Sequence, residues 1–276
     1  MISQFFDSLV LIMRDVHQID ISKFNDAFLE KTITKRMEKL GLEEGKRYSD
    51  LLCSSSQEAH LLSMALQNHY SVFFRDMEMF SLFHTELIPR IFKSKVNGNS
   101  SEIRFWSMAC AGGQEAYSIA MLIEERAKKY GLDWPYRVFA SDISGFCINH
   151  AMKGLFTSAD LQHVTLARME SFFTKKDGLY EIVPSLRKRI QFSCYDLLDT
   201  FTIAPPDCIF GSFDVIFCCN VLYYYKSYYQ KIIVDKISKS LNKQGYLITD
   251  KAEKEIVSNF STLQSLFSSY PVFIKT

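Results

Sequence analysis

The sequence predicts an α/β fold in which a helical N-terminal region precedes a mainly parallel β-sheet with helices between its strands. Residues 2–68 carry apolar side chains at helical spacing and contain no convincing strand. Further along, short apolar runs alternate with longer amphipathic stretches, as in an α/β sheet. The run FDVIFCCN at 213–220 is apolar almost to its end, which is typical of a central strand covered on both faces.

The composition is that of a globular protein with no general attraction to nucleic acid or membranes. The 276 residues are 47% hydrophobic and 23% charged, and the net charge is +1. No apolar run approaches the ~20 residues of a membrane-spanning helix. Seven scattered cysteines without metal-binding spacing predict reduced thiols, a cytoplasmic location and no metal site. We expect a monomer without a nucleic-acid partner and without membrane insertion.

One stretch of the helical region has two contrasting faces. Apolar side chains recur at helical spacing and predict a buried face: Leu29, Ile33, Met37 and Leu40. Lysines stand two positions after three of them, a rotation of roughly 200° that forms a basic stripe: Lys31, Lys35 and Lys39. From the pattern itself, this stripe is either a solvated face or a docking surface for an acidic helix.

The remaining elements follow from runs of apolar residues and from turn signals. A polar segment at 93–101 predicts a loop, and we place the domains at residues 1–68 and 69–276. Strands are expected at about 103–109, 136–141, 189–194, 213–219 and 244–249.

Two further segments carry strand signals. Asp177-Gly178 lies between strand-forming residues and predicts an antiparallel hairpin within 172–183, so we place an inserted β-subdomain at about 171–192. Near the C-terminus, the PVFIK segment predicts an edge strand.

A glycine turn followed by a carboxylate comes after the first strand. Residues 104–118 read RFWSMACAGGQEAYS, with Glu115 directly after the turn. A turn that binds a dinucleotide offers backbone N–H groups to a pyrophosphate, and an acid there would repel that anion. Glu115 therefore favours a positively charged ligand end.

A second acid, Asp142, ends the next predicted strand, which reads YRVFASD. An acid at this place can hydrogen-bond a ribose. The alternative for both acids is the capping of a helix N-terminus. Taken together, a ribose site and a site for a positive tail describe S-adenosylmethionine.

Six motifs follow one another along the chain: FFRD, WSMACAGGQEAYS, FASDIS, GLF, FSCYDLL and FDVIFCCNVLYYY. Their order and spacing resemble those of the CheR-type chemotaxis receptor methyltransferases, up to about Gly245. The resemblance implies a Rossmann-like S-adenosylmethionine-dependent methyltransferase domain with a small antiparallel β-subdomain, preceded by an all-helical domain. It also implies methyl transfer to glutamate side chains of methyl-accepting chemoreceptors, with S-adenosylhomocysteine as the product of the cofactor.

The resemblance further implies roles for individual residues. It assigns eight positions to the cofactor pocket: Ser71, Arg75, Ala109, Glu115, Asp142, Ile143, Asp196 and Asn220. The implied roles are the methionyl carboxylate for Arg75, the ammonium for Glu115 and the ribose for Asp142. Ile143 and Asp196 would lie near the adenine, and Asn220 beside the methionyl end.

The same resemblance implies how the acceptor is held. Arg75 and Tyr224 would be the catalytic residues, because they would orient the acceptor glutamate beside the methyl group. The basic stripe would dock the receptor helix through four residues: Lys31, Lys35, Arg36 and Lys39.

The chain departs from the family pattern at the end of the 213–219 strand. Cys219 stands where the family usually has arginine, and TDKAE at 249–253 replaces a glycine-rich G-x-S-E segment. Lys251 is a candidate source of the missing positive charge. A receptor-binding or cofactor-sensing relative with reduced transfer therefore remains an alternative, as does a methyltransferase for another protein or a small molecule. A nicotinamide oxidoreductase is disfavoured because G-x-G-x-x-G is absent.

Overall fold

The computed structural model describes residues 2–67, 70–96, 102–131, 135–208 and 212–276. Its helices are α1 Ile2–Asp15, α2 Asp26–Lys39, α3 Gly45–Ser54, α4 Ser56–Leu66, α5 Met77–Leu82, α6 Ile88–Val96, α7 Gln114–Tyr130, α8 Gly145–Lys153, α9 Leu166–Phe172, α10 Pro184–Arg187, α11 Ser227–Ser240 and α12 Lys254–Ser258. Its strands are β1 Ile103–Met108, β2 Tyr136–Asp142, β3 Leu155–Phe156, β4 Phe173–Lys176, β5 Leu179–Ile182, β6 Ile190–Cys194, β7 Phe213–Cys218, β8 Leu241–Thr249, β9 Leu263–Ser265 and β10 Val272–Lys275. The chain divides into two compact units, one of Met1–Asn68 with Val221–Lys231 and one of the remaining residues.

The helical unit contains α1 to α4, as the sequence predicts. Side-chain caps start two of these helices, because Asn25 accepts from the Phe28 N–H at 2.8 Å and Ser55 accepts from the Glu58 N–H at 3.1 Å. Its core includes Leu9, Met13, Leu29, Ile33, Tyr48, Leu52 and Leu62. The expectation that Leu40 is buried is wrong, because this residue follows the last turn of α2 and leaves the core face.

The α/β unit is built on a seven-stranded sheet with the order β6-β2-β1-β7-β8-β10-β9. Strands β6, β2, β1, β7 and β8 pair in parallel, whereas β10 pairs antiparallel with β8 and β9. Every residue of β7 is buried, which confirms its prediction as a central strand. The PVFIK expectation is wrong in one respect, since β10 lies between two strands and β9 forms the edge.

A second, three-stranded sheet has the order β3-β5-β4. The predicted hairpin joins β4 to β5, and its turn residues Asp177 and Gly178 have φ values of 49° and 80°. The sheet begins before our range of 171–192, because β3 pairs with β5. We did not predict β3, since a strand of two residues is too short to show alternating apolar and polar side chains. At the other end of that range, β6 already pairs with β2 in the large sheet.

The predicted loop at 93–101 begins too early, because α6 continues to Val96 and is anchored by the buried Ile91 and Phe92. Residues 97–101 lie outside the described part of the chain, as does the predicted domain boundary between 68 and 69. Among the described helices, none is long and apolar enough to cross a membrane.

Candidate active site

The carboxyl ends of four neighbouring parallel strands, β6, β2, β1 and β7, meet at one edge of the large sheet. Ligands of open α/β sheets bind outside such an edge. A predicted site residue ends or follows each strand: Ala109 for β1, Asp142 for β2, Asp196 for β6 and Asn220 for β7. The sheet therefore brings these four positions to a common edge.

The turn between β1 and α7 has an unusual backbone. Ala109 and Ala111 have φ values of 49° and 47°, in the left-handed region that costs a residue with a Cβ about 1–2 kcal/mol. Gly113 has a φ of 88°, and a Cβ on it would lie 2.9 Å from the Cβ of Ala151. Only glycine fits there, because both the conformation and the close approach exclude a side chain. Strained residues at the ligand-binding edge of a sheet indicate a functional turn.

Asp142 ties this turn to the one that follows β2. Its Oδ2 accepts from the Ala111 N–H at 2.9 Å, and its Oδ1 accepts from the Ser144 N–H at 2.9 Å. The carboxylate is half-buried. A carboxylate oxygen can accept more than one hydrogen bond, so a group of this kind is also suited to the hydroxyls of a ribose.

Glu115, in the first turn of α7, lies against β1. The Ser107 hydroxyl, which is buried on β1, donates to Oε1 of Glu115 at 2.6 Å. Burial raises the pKa of Glu115 to about 7, while hydrogen bonds from Ser107 and Cys219 act in the opposite direction. The negative charge of Glu253 adds to the rise in pKa, and the positive charge of Arg75 reduces it. Such a carboxyl group favours a cationic ligand, because a nearby positive charge stabilises its ionised form.

The FFRD segment is fixed by its two aromatic residues. Phe73 and Phe74 are buried, and the Phe74 N–H donates to Oγ of Ser118 in α7 at 3.1 Å. Arg75 is exposed, with its guanidinium 5.6 Å from the ring centroid of Tyr70. The positive charge of Arg75 lowers the pKa of Glu115, so the FFRD segment lies near the first turn of α7. Ser71 is half-buried at the start of the same segment.

Asn220 is held at the end of β7 by a residue that sequence reasoning missed. Its φ is 61°, and its N–H donates to Oε2 of Glu253 at 3.0 Å. The Glu253 side chain is 0% exposed and also accepts from the Asp250 N–H at 3.2 Å. Asp250 and Glu253 form a capping box, so the D-x-x-E spacing was the signal available in the sequence.

The other end of the edge carries Asp196 and Ile143. Oδ1 of Asp196 accepts from the Leu198 N–H at 2.9 Å, which fixes the turn after β6. Ile143, directly after β2, is 40% exposed. An exposed apolar side chain beside a half-buried carboxylate is suited to the face and the polar edge of a nucleobase.

Comparison with protein families indicates which ligand binds at this edge of the large sheet. The family described as "CheR methyltransferase, SAM binding domain" matches residues 69–269. This chain belongs to the CheR methyltransferase family. The match confirms the resemblance, the predicted cofactor S-adenosylmethionine and the assignment as a methyltransferase.

Similar proteins in this family include two named for chemotaxis. The chemotaxis protein methyltransferase of Borreliella burgdorferi is 23% identical over 249 residues, 89% of this chain and 86% of that protein. Chemotaxis protein methyltransferase Cher2 of Pseudomonas putida is 31% identical over 193 residues, 68% of this chain and 67% of that protein. Among solved structures, the N-methyltransferase NodS of Bradyrhizobium japonicum in complex with S-adenosyl-L-homocysteine has a TM-score of 0.38 at 14% identity, covering 70% of this chain and 87% of that one.

The donor groups fit the cofactor of the CheR family. S-adenosylmethionine combines a cationic methionyl end with a ribose and an adenine. The raised pKa of Glu115 marks a carboxyl group suited to a cation, and Asp142 places at the end of β2 a carboxylate of the kind that accepts hydrogen bonds from hydroxyls. Among the described residues, no cluster of histidine, cysteine or acidic side chains could hold a metal ion.

Position 219, directly after β7, is a cysteine where the resemblance led us to expect arginine. Burial, together with the charges of Glu115 and Glu253, raises the pKa of the Cys219 thiol well above its ordinary value, so the group is neutral. Lys251, the candidate replacement for the missing cation, is exposed and places its Nζ 2.6 Å from Glu78. The charge of Lys251 is therefore already engaged by a surface carboxylate.

Tyr224 belongs to the helical unit of this CheR protein. Its hydroxyl accepts from that of Tyr223 at 2.9 Å, and its ring centroid lies 4.6 Å from that of Phe28. The Asn25 N–H donates to the Tyr224 carbonyl oxygen at 2.8 Å, so the N-terminus of α2 holds this residue in place.

The basic stripe on α2 is only partly as expected. Lys31, Lys35 and Lys39 are exposed. The inclusion of Arg36 is wrong, because its side chain is 11% exposed and its Nε lies 3.0 Å from Oε1 of Glu58. The stripe, defined from here on as Lys31, Lys35 and Lys39, therefore consists of lysines.

Proposed function

We propose that this CheR protein transfers a methyl group from S-adenosylmethionine to glutamate side chains on cytoplasmic helices of chemoreceptors, forming γ-glutamyl methyl esters. The observation that carries the proposal is the pair of Glu115 and Asp142 at one strained turn, in a chain whose relatives are named chemotaxis protein methyltransferases. We also propose a cytoplasmic monomer.

In this proposal, the cofactor is bound along the edge from β7 to β6. Glu115 pairs with the methionyl ammonium, Arg75 with the methionyl carboxylate, and Asp142 with the ribose. The exposed side chain of Ile143 covers one face of the adenine, and Asp196 accepts at its polar edge. Ser71, the Ala109 backbone and Asn220 complete the pocket. The raised pKa of Glu115 supports its role, because an ammonium ion would stabilise the carboxylate.

The methyl transfer requires little proton transfer by groups of the protein. The sulfonium of the cofactor supplies an activated methyl group. A glutamate carboxylate with a pKa near ~4.3 is ionised at neutral pH and needs no general base. Arg75 and Tyr224 would therefore act by orienting the acceptor oxygen in line with the methyl carbon, and positioning would dominate the rate.

The lysine stripe supplies the docking surface in this proposal. Lys31, Lys35 and Lys39 are exposed and spaced one turn apart, so they can face acidic side chains along a receptor helix.

A second candidate function, binding of receptor and cofactor with little transfer, is favoured by Cys219. A neutral thiol beside Glu115 cannot give the bidentate hydrogen bonds that an arginine gives to a carboxylate.

The deciding experiment incubates the protein with methyl-labelled S-adenosylmethionine and a panel of chemoreceptor cytoplasmic fragments. We expect base-labile label on a fragment, lost when its acceptor glutamate is replaced by alanine. Cofactor binding without label would favour the second candidate. Failure to bind the cofactor would contradict the proposed pocket.

A further inference from the structure

The helical unit contains a groove of about 850 Å³ beside α2. Phe5 and Phe6 of α1, Met37 of α2 and Leu42 after it contribute apolar surface. The two phenylalanine rings contact each other with centroids 5.1 Å apart, and the Phe5 ring packs so closely on Gly45 that a Cβ there would lie 2.8 Å from it. The groove therefore has a closely packed aromatic floor.

The rim of this groove is acidic. Glu30 and Glu38 of α2 and Glu43 after it line the groove and are exposed. In the described part of the chain, none of these three carboxylates has an ion pair or a hydrogen bond to its side chain. Lys46 is the one cation among the lining residues. Three carboxylates against one ammonium leave the groove with negative charge.

Helix geometry separates this rim from the lysine stripe. Glu30 and Glu38 stand eight positions apart with Thr34 midway, a rise of about 12 Å and a rotation of roughly 80°, so the three residues form an inclined row on α2. Each lysine of the stripe follows one of these residues by one position, a rotation of roughly 100°. One helix thus has a buried face, a basic face and an acidic face along the groove.

We propose that this groove binds an amphipathic basic helix. Apolar side chains of that helix would contact Phe5, Phe6 and Met37, while its lysines or arginines would face Glu30 and Glu38. Basic residues seven or eight positions apart in the ligand match the distance of about 12 Å between the two carboxylates. Apolar contact provides most of the affinity, and the charges select a basic partner over an acidic one.

The test uses a fluorescent synthetic helix of leucine and lysine, with leucines at helical spacing, titrated against the whole chain by anisotropy. We expect micromolar binding that weakens about tenfold or more in a Glu30→Gln, Glu38→Gln double variant. The control is a Glu170→Gln, Glu255→Gln double variant, which makes the same charge change at exposed positions of the α/β unit. This control should bind as the unchanged protein does.

Three results would overturn the proposal. One is the absence of binding up to about 1 mM peptide. Another is equal binding of a peptide of the same composition in scrambled order, which would indicate charge attraction without a groove. The third is equal affinity of the two double variants. Hydrogen exchange should slow around residues 5–6 and 37–42 when the peptide binds, and slowing confined to other segments would also contradict the site.

Discussion

Glu253 holds Asn220 through a hydrogen bond of 3.0 Å from the Asn220 N–H to Oε2, although 33 residues separate the two in sequence. The same oxygen accepts from the Asp250 N–H, and the Glu253 side chain is fully buried. One carboxylate therefore fixes the left-handed turn after β7 and also acts on Glu115 through its negative charge.

Replacement of Glu253 should separate these two effects. Glu253→Ala leaves two N–H groups without their acceptor, and at about 1–3 kcal/mol for each buried group it should lower the free energy of unfolding by several kcal/mol. Glu253→Gln keeps an acceptor oxygen and should cost less, while the pH midpoint for cofactor binding should fall, because the lost negative charge no longer raises the pKa of Glu115. Chemical denaturation and calorimetric titration measure the two quantities, and Glu255→Ala, at an exposed position, is the control. Equal stability of the alanine variant and the unchanged protein would contradict this role.

The raised pKa of Glu115 predicts that cofactor affinity depends on pH. A cationic ligand favours the carboxylate, so affinity should rise with pH up to about 7, by at most tenfold per unit, and level off above it. Glu115→Gln should bind much more weakly and lose this dependence. Titration calorimetry between pH 5.5 and 8.5 checks both statements, with the pH range chosen around the pKa. A pH-independent affinity in the unchanged protein would argue against Glu115 as the ammonium ligand.

The same group affects the stability of the cofactor-free protein. The pKa of Glu115 is raised in the folded state. Its contribution to the free energy of unfolding is therefore fully present below the ordinary pKa of 4.5 and is lost as pH rises through about 7. Cofactor-free protein should therefore lose stability across this window relative to Glu115→Gln. Denaturant unfolding of both proteins at several pH values measures the difference.

Local patterns made part of the site predictable. Asp142 ends a buried strand and Glu115 directly follows a glycine turn, so a few neighbouring residues indicate the position of each. Glu253 was missed because its contact with Asn220 joins residues that are distant in sequence, although its capping box with Asp250 is local. We placed Arg36 with the exposed lysines of α2, although periodicity indicates otherwise. Arg36 stands seven residues after Leu29, which is almost two full turns, so it lies on the buried face.

The strands of the fold also differ in whether the local sequence predicts them. The parallel strands were predicted from their apolar runs, and the nearly continuous run at 213–220 indicated the central strand β7, which is buried throughout. The two-residue strand β3 was missed because it exists through its pairing with β5, a contact that no local pattern encodes.

Cys219→Arg should place a cation beside Glu115, at the position where the resemblance led us to expect one. We expect a higher kcat/KM for receptor fragments, by about tenfold, since a buried arginine can pair with a carboxylate through two hydrogen bonds. The pH midpoint for cofactor binding should also fall, because a positive charge lowers the pKa of Glu115. Cys219→Ser keeps the position neutral and is the control. If both variants transfer methyl groups at the same rate, the thiol does not limit turnover.

Removal of the lysine stripe should affect the receptor and not the cofactor. A Lys31→Gln, Lys35→Gln, Lys39→Gln variant should raise KM for receptor fragments, and the dependence of KM on salt should become weaker. Cofactor affinity should stay unchanged. Lys128→Gln, Lys129→Gln, in the last turn of α7, changes exposed lysines elsewhere and is the control. An equal rise in KM for this control would indicate a general charge effect.

The ion pair of Arg36 and Glu58 predicts where the helical unit is least tolerant of substitution. The two side chains are 11% and 5% exposed, and the buried Tyr48 hydroxyl also donates to Glu58 at 2.9 Å. Removing one partner leaves the other charge buried, so Arg36→Met should lower the free energy of unfolding by about 3–5 kcal/mol. The double variant Arg36→Met, Glu58→Leu should recover much of this loss, because no buried charge remains.

Denaturant unfolding of the single and double variants measures both effects, and exposed Lys35→Met should change stability by less than about 0.5 kcal/mol. A single variant as stable as the unchanged protein would return Arg36 to the candidate docking residues, since its charge would then be free of a structural role.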